Sequence, residues 1–98
     1  MADFKEINEA RRLLELGDAA TLREIRSAYR RLAQRYHPDK HGGGAENTQA
    51  MKRLNWAYKL LTAYCDEYRY SFREEDIART YPHEEYLRKH RYDWFDGP

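Results

Sequence analysis

Cysteine, long apolar runs and charge of one sign are all scarce in this chain. Cys65 stands alone among 98 residues. A single thiol forms no intramolecular disulfide, and no CxxC or paired spacing offers a metal site. At helical register with Leu54, Tyr58 and Leu61, Cys65 reads as a small core residue. No apolar run approaches the roughly 18 residues of a membrane span, and the N-terminus lacks a signal-peptide core. A cytoplasmic protein without membrane contact is therefore expected. Net charge is only +1, which gives no general attraction for nucleic acid. Internal repeats and low-complexity segments are absent.

What is present fits one small core and no second independent domain. Charged residues make up 36% against 41% hydrophobic, the balance of a helical protein with a charge-laced surface. The charges are unevenly placed. Residues 23–40 carry six Lys/Arg against Glu24 and Asp39, whereas residues 66–98 carry nine Asp/Glu against six Lys/Arg. A basic segment thus precedes a mildly acidic one.

Apolar positions recur at spacings of three and four, so the fold class is all-α. Asp3 with Glu6 three residues on predicts a capped first helix. Phe4, Ile7, Ala10 and Leu14 form its apolar stripe, and Gly17 supplies its stop. Thr21 and Glu24 predict a second capped start. That helix buries Leu22, Ile25, Leu32, Ala33 and Tyr36, with Ala28 at the edge. It ends near Tyr36, because Pro38 pushes His37 out of the α region. After Gly42-Gly43-Gly44, a third helix is predicted from about Glu46 or Asn47 to beyond Tyr64. Its face is Ala50, Leu54, Ala57, Tyr58, Leu61 and Cys65. The second and third helices pair antiparallel, which puts the joining loop at an exposed tip. Residues 66–80 carry no clear pattern, and Tyr81-Pro82-His83-Glu84-Glu85 reads as a fresh helix start.

The tip carries His37-Pro38-Asp39, a weak signal as a bare tripeptide. Its surroundings are specific: Leu22 to Tyr36 is a basic amphipathic run, and Leu54-Asn55-Trp56-Ala57-Tyr58-Lys59-Leu60-Leu61 follows the loop. Over about residues 10–65 this arrangement resembles the J-domain, the module by which DnaJ-type co-chaperones engage DnaK-type heat-shock chaperones. The resemblance implies a J-domain over residues 1–65, a first helix and the hairpin of the second and third; residues 66–98 lie beyond it as an aromatic-rich C-terminal extension, expected from its own composition to pack on the domain. The resemblance implies no enzyme activity and no cofactor. ATP hydrolysis on the chaperone is stimulated instead.

Carried over by position, the chaperone contacts are His37, Pro38 and Asp39 at the tip, Arg26, Tyr29, Arg30 and Arg31 on the second helix, and Met51 and Lys52 on the third. Pro38 leaves its neighbours little conformational entropy to lose, and Asp39 offers a rigid carboxylate for a partner arginine. Met51 stands where the family often has phenylalanine. Tyr29 lies near the core edge. A metal held by His37, Asp39 and His41 lacks further ligands. A His-Asp hydrolase lacks a supported nucleophile, and Pro38 is expected to splay the two side chains apart. Two other readings remain: a degenerate J-like interaction module, and nucleic-acid binding through the arginines with Tyr29 and Tyr36.

The chain departs from the family in places. Arg12 and Leu13 replace the paired aromatics of the first helix, and neither a Gly/Phe-rich linker nor a cysteine-repeat zinc domain is present. A stand-alone, monomeric J-domain protein is expected, with any client or regulatory partner met through residues 66–98. That extension holds Tyr68, Tyr70, Phe72, Tyr81, Tyr86, Tyr92, Trp94 and Phe95. At 100° per residue Trp56 projects about 200° from Leu54, away from the hairpin core. The extension is expected to fold back over it.

Overall fold

The computed structural model of the chain describes residues 2–37, 39 and 44–80. Four helices follow in order: α1 (Phe4–Leu13), α2 (Leu22–Arg35), α3 (Gly44–Glu67) and α4 (Glu74–Thr80). No strand occurs among the described residues. The chain divides into two compact units, Met1–Tyr68 and Arg69–Pro98.

Both predicted capping boxes form. The Glu6 amide donates to Asp3 Oδ1 at 2.9 Å, and the Asp3 amide donates back to Glu6 Oε1 at 3.4 Å. At α2 the Glu24 amide donates to Thr21 Oγ1 at 3.1 Å, and the Thr21 amide donates to Glu24 Oε1 at 2.8 Å. Each box satisfies two backbone donors that a helix start otherwise leaves unpaired. The bonds from the Thr21 backbone and hydroxyl hold the Glu24 carboxyl below its ordinary pKa.

The stop of α1 differs from expectation. The helix is closed by Glu15, not Gly17. Glu15 takes φ 57°, its amide donates to Arg12 O at 3.0 Å, and the Leu16 amide donates to Arg11 O at 2.9 Å. This paired closure needs a left-handed residue immediately after the cap, a place usually held by glycine. Arg11 covers the same turn, donating to Leu16 O at 3.2 Å and to Asn8 Oδ1 at 2.8 Å. Arg35 at the end of α2 stands 3.7 Å from the Glu15 carboxylate.

α3 packs against both α1 and α2. The buried core is Ala10 and Leu14 from α1 and its cap, Ile25, Ala28 and Leu32 from α2, and Leu54, Ala57 and Leu61 from α3. Among the described residues no polar or charged side chain is buried. Ala28 lies inside this core, not at its edge, while Leu22, Ala33 and Tyr36 are only partly buried. An alanine at 28 lets α3 approach where a larger residue would hold it off. Phe4 leaves the predicted stripe and is 80% exposed. On α3, Ala50, Tyr58 and Cys65 are partly buried flanks to Leu54, Ala57 and Leu61.

The hairpin is antiparallel, as two cross-links show. Tyr29 in the middle of α2 meets Asn55 and Tyr58 in the middle of α3, and His37 beyond α2 meets Asn47 near the start of α3. α3 begins at Gly44, earlier than predicted, and Gly44 itself takes φ +53°, which glycine adopts without strain.

Trp56 is exposed on α3, and Tyr64 and Tyr68 meet edge to face with ring centroids 6.1 Å apart. The second unit has its own short helix. In α4, Asp76 draws together Ser71, Arg73 and Arg79, which fixes the first turn. The helix start expected at residues 81–85, and the packing of 81–95 over Trp56, lie outside the described residues.

Candidate functional site

α2 delivers the tip residues because its last regular turn stops on time. The Tyr36 amide still donates to Leu32 O at 3.0 Å, and Tyr36 then takes φ −105°, ψ 15°. His37 thus leaves the helix with its carbonyl free of the intrahelical ladder. That carbonyl accepts from Asn47 Nδ2 at 3.1 Å. Its ring is held from the other side, where the Asp39 amide donates to His37 Nδ1 at 3.2 Å.

The expectation that Pro38 splays His37 and Asp39 apart is corrected by this turn. Asp39 Oδ2 lies 3.8 Å from His37 Nδ1. Accepting from the Asp39 amide places the proton of the neutral ring on Nε2. The Asp39 carboxylate faces solvent, with its side chain 89% exposed. Pro38, Lys40 and His41 lie outside the described residues. Among the described residues, no group of three His, Cys, Asp or Glu side chains could hold a metal.

The arginines of α2 form the second part. Arg23, Arg26, Arg30 and Arg31 are all exposed. Among the described residues none of them has a carboxylate within ion-pair distance, in contrast to Arg35, which reaches Glu15. Glu24, the acid nearest to them on α2, is occupied by its cap. The face therefore presents positive charge that no carboxylate among the described residues pairs with.

Tyr29 sits differently from those arginines. Its ring stacks on Tyr58 with centroids 4.2 Å apart and planes 17° from parallel, and its hydroxyl donates to Asn55 Oδ1 at 2.6 Å. It is half-buried and joins α2 to α3. Met51 is also partly buried and packs against the core, while Lys52 is exposed on α3. The structure brings His37 and Asp39 together and lines Arg26, Arg30 and Arg31 along one helix. It makes Tyr29 and Met51 framework as much as surface. Sequence reasoning missed Asn47, Asn55 and the partner role of Tyr58, whose one visible signal was polar residues flanking the apolar face of α3.

The DnaJ domain matches residues 12–70, more than half of the chain, and the chain belongs to that family. The chaperone protein DnaJ of Finegoldia magna is 45% identical over 49 residues, which is 50% of this chain and 13% of that protein. DnaJ of Protochlamydia amoebophila is 42% identical over 62 residues, 63% of this chain and 14% of its own length. A DnaJ-like protein of Mycoplasma pneumoniae is 50% identical over 50 residues, 51% of this chain and 15% of that protein. The chain thus spans only 13% to 15% of the length of these relatives. No solved structure matches it.

Proposed function

We propose that this protein is a co-chaperone that docks a DnaK-type heat-shock chaperone through His37, Pro38, Asp39 and the basic face of α2, and so stimulates ATP hydrolysis by the chaperone. The observation that carries this reading is an exposed Asp39 carboxylate on a braced turn, together with arginines that have no carboxylate within ion-pair distance among the described residues. A short carboxylate held this way suits a bidentate contact with an arginine of the partner. Arg26, Arg30 and Arg31 suit an acidic partner surface, steering the approach before the tip engages. The protein supplies no reacting group. It acts as a monomer in the cytoplasm, by stabilising the state of the chaperone in which hydrolysis is fast.

The relatives named DnaJ support the partner class. Residues 66–98 are in this reading an aromatic-rich extension beyond the chaperone-docking hairpin. The direct test is single-turnover ATP hydrolysis by a DnaK-type chaperone, with and without this protein. Acceleration supports the proposal, and an unchanged rate at saturating protein contradicts it. Tight, salt-sensitive binding to generic DNA in place of acceleration would favour the nucleic-acid reading.

A further inference from the structure

The His37 carbonyl points to a residue outside the tripeptide. Beyond the end of α2 this acceptor has no helical donor, and Asn47 Nδ2 meets it at 3.1 Å across ten residues of chain. The side-chain nitrogen must be the donor, since a carbonyl only accepts. Asn47 stands in the first turns of α3, a helix fixed to the core by Leu54, Ala57 and Leu61. The sequence between them includes Gly42 and Gly43, a residue type that restricts the backbone least.

We infer that Asn47 is a positioning residue for the tip: its bond to the His37 carbonyl fixes the peptide so that the Asp39 amide can close on His37 Nδ1 and the Asp39 carboxylate stays outward. The inference rests on the proposed docking role of the tip for its functional consequence, but not for its structural one. His37 is held at both ends, by Asn47 at its carbonyl and by the Asp39 amide at its ring. Releasing the first hold disorders the second. The fraction of molecules with a competent tip then falls, and apparent affinity for a partner falls by the same fraction while the saturated effect is kept.

The test uses the full chain with Asn47→Ala and Asn47→Asp. The aspartate has nearly the shape of asparagine but no donor, and an acid near the start of α3 favours the helix. In the free protein, hydrogen exchange at the Asp39 amide is read by NMR. Both variants are expected to exchange there several-fold faster than wild type, with melting temperatures unchanged or, for Asn47→Asp, raised. In the ATPase assay, the concentration for half-maximal stimulation should rise about three- to ten-fold, as for loss of one hydrogen bond, with the saturated rate retained. For Asn47→Asp the loss should persist at about 0.5 M salt, where its added charge is screened.

An Asp39 amide unaffected by both substitutions overturns the inference even if stimulation weakens, because Asn47 would then act by touching the partner itself. Faster exchange with an unchanged half-maximal concentration overturns its functional half. A wild-type protein that fails to stimulate contradicts the docking proposal instead, and the exchange measurement still decides the role of Asn47.

Discussion

Tyr29 lies flat on Tyr58, ring centroids 4.2 Å apart, and this stack joins the middle of the basic helix to the middle of α3. The relationship gives Tyr29 a structural task, with its hydroxyl bonded to Asn55. Tyr29→Phe keeps the stack and loses the hydrogen bond, so it should cost about 1 kcal/mol, read by denaturant unfolding. Tyr29→Ala also loses the stack and half-buried ring area, and should cost about 2–3 kcal/mol. Equal costs for the two variants would mean that the ring contributes nothing. Any functional reading of Tyr29→Ala therefore needs its stability measured beside it.

Glu15 and Gly17 make a complementary pair of tests. Glu15 carries φ 57° at the close of α1, whereas Gly17 has no left-handed φ and nothing within 4 Å of an added Cβ. Glu15→Gly should stabilise the protein by up to about 1 kcal/mol, since relief of the left-handed strain outweighs an exposed pair with Arg35. That corresponds to a rise in melting temperature of about 4–8 °C for a domain of this size. Gly17→Ala should change little or stabilise slightly. A destabilised Glu15→Gly would show that the Arg35 contact matters more than the backbone.

These two positions also show what could be read in advance. The starts of α1 and α2 were legible because a capping box is local: Asp3 with Glu6 and Thr21 with Glu24 are chemistry within four residues. The stop of α1 was not. Gly17 offered the obvious glycine, but burial of Leu14 beneath α3 sets where the chain turns, and the turn falls on Glu15. Likewise Ala28 and Phe4 trade places against expectation, because periodicity gives a face but not how close the neighbouring helix approaches. The tip tripeptide and its arginines were visible as sequence. Their braces, Asn47 for His37 and Asn55 for Tyr29, lie 10 and 26 residues away and appear only once the hairpin closes.

Arg30 and Arg31 test the charged half of the site. Reversing both to Glu should weaken chaperone association and flatten its salt dependence, since exposed charges act over about 10 Å at 0.1 M salt. Stability should shift by less than about 1 kcal/mol, because neither side chain has a partner among the described residues. Association measured across a salt series decides this. A double variant that binds as well as wild type would remove α2 from the proposed surface.

Truncation after Thr80 tests the extension. Every buried side chain among the described residues lies between Ala10 and Leu61, so the hairpin should stay folded with its helical signal kept and its melting temperature only modestly lowered. In a Trp94→Phe background Trp56 alone reports fluorescence. If the extension covers Trp56, acrylamide should quench the truncated protein more strongly than the full chain. Equal quenching would contradict that packing and favour residues 66–98 as a surface for another partner.

Asp39 is the centre of the proposed docking site, and its carboxylate is exposed and makes no contact that the core needs. Asp39→Asn keeps the shape and the backbone amide that meets His37, and removes only the charge. The decisive measurement is single-turnover ATP hydrolysis by a DnaK-type chaperone with wild type and with this variant, each checked for melting temperature. The expected result is acceleration by wild type, none by Asp39→Asn, and melting temperatures within about 2 °C, as for an exposed surface change. Undiminished acceleration by a folded Asp39→Asn protein would contradict the docking mechanism.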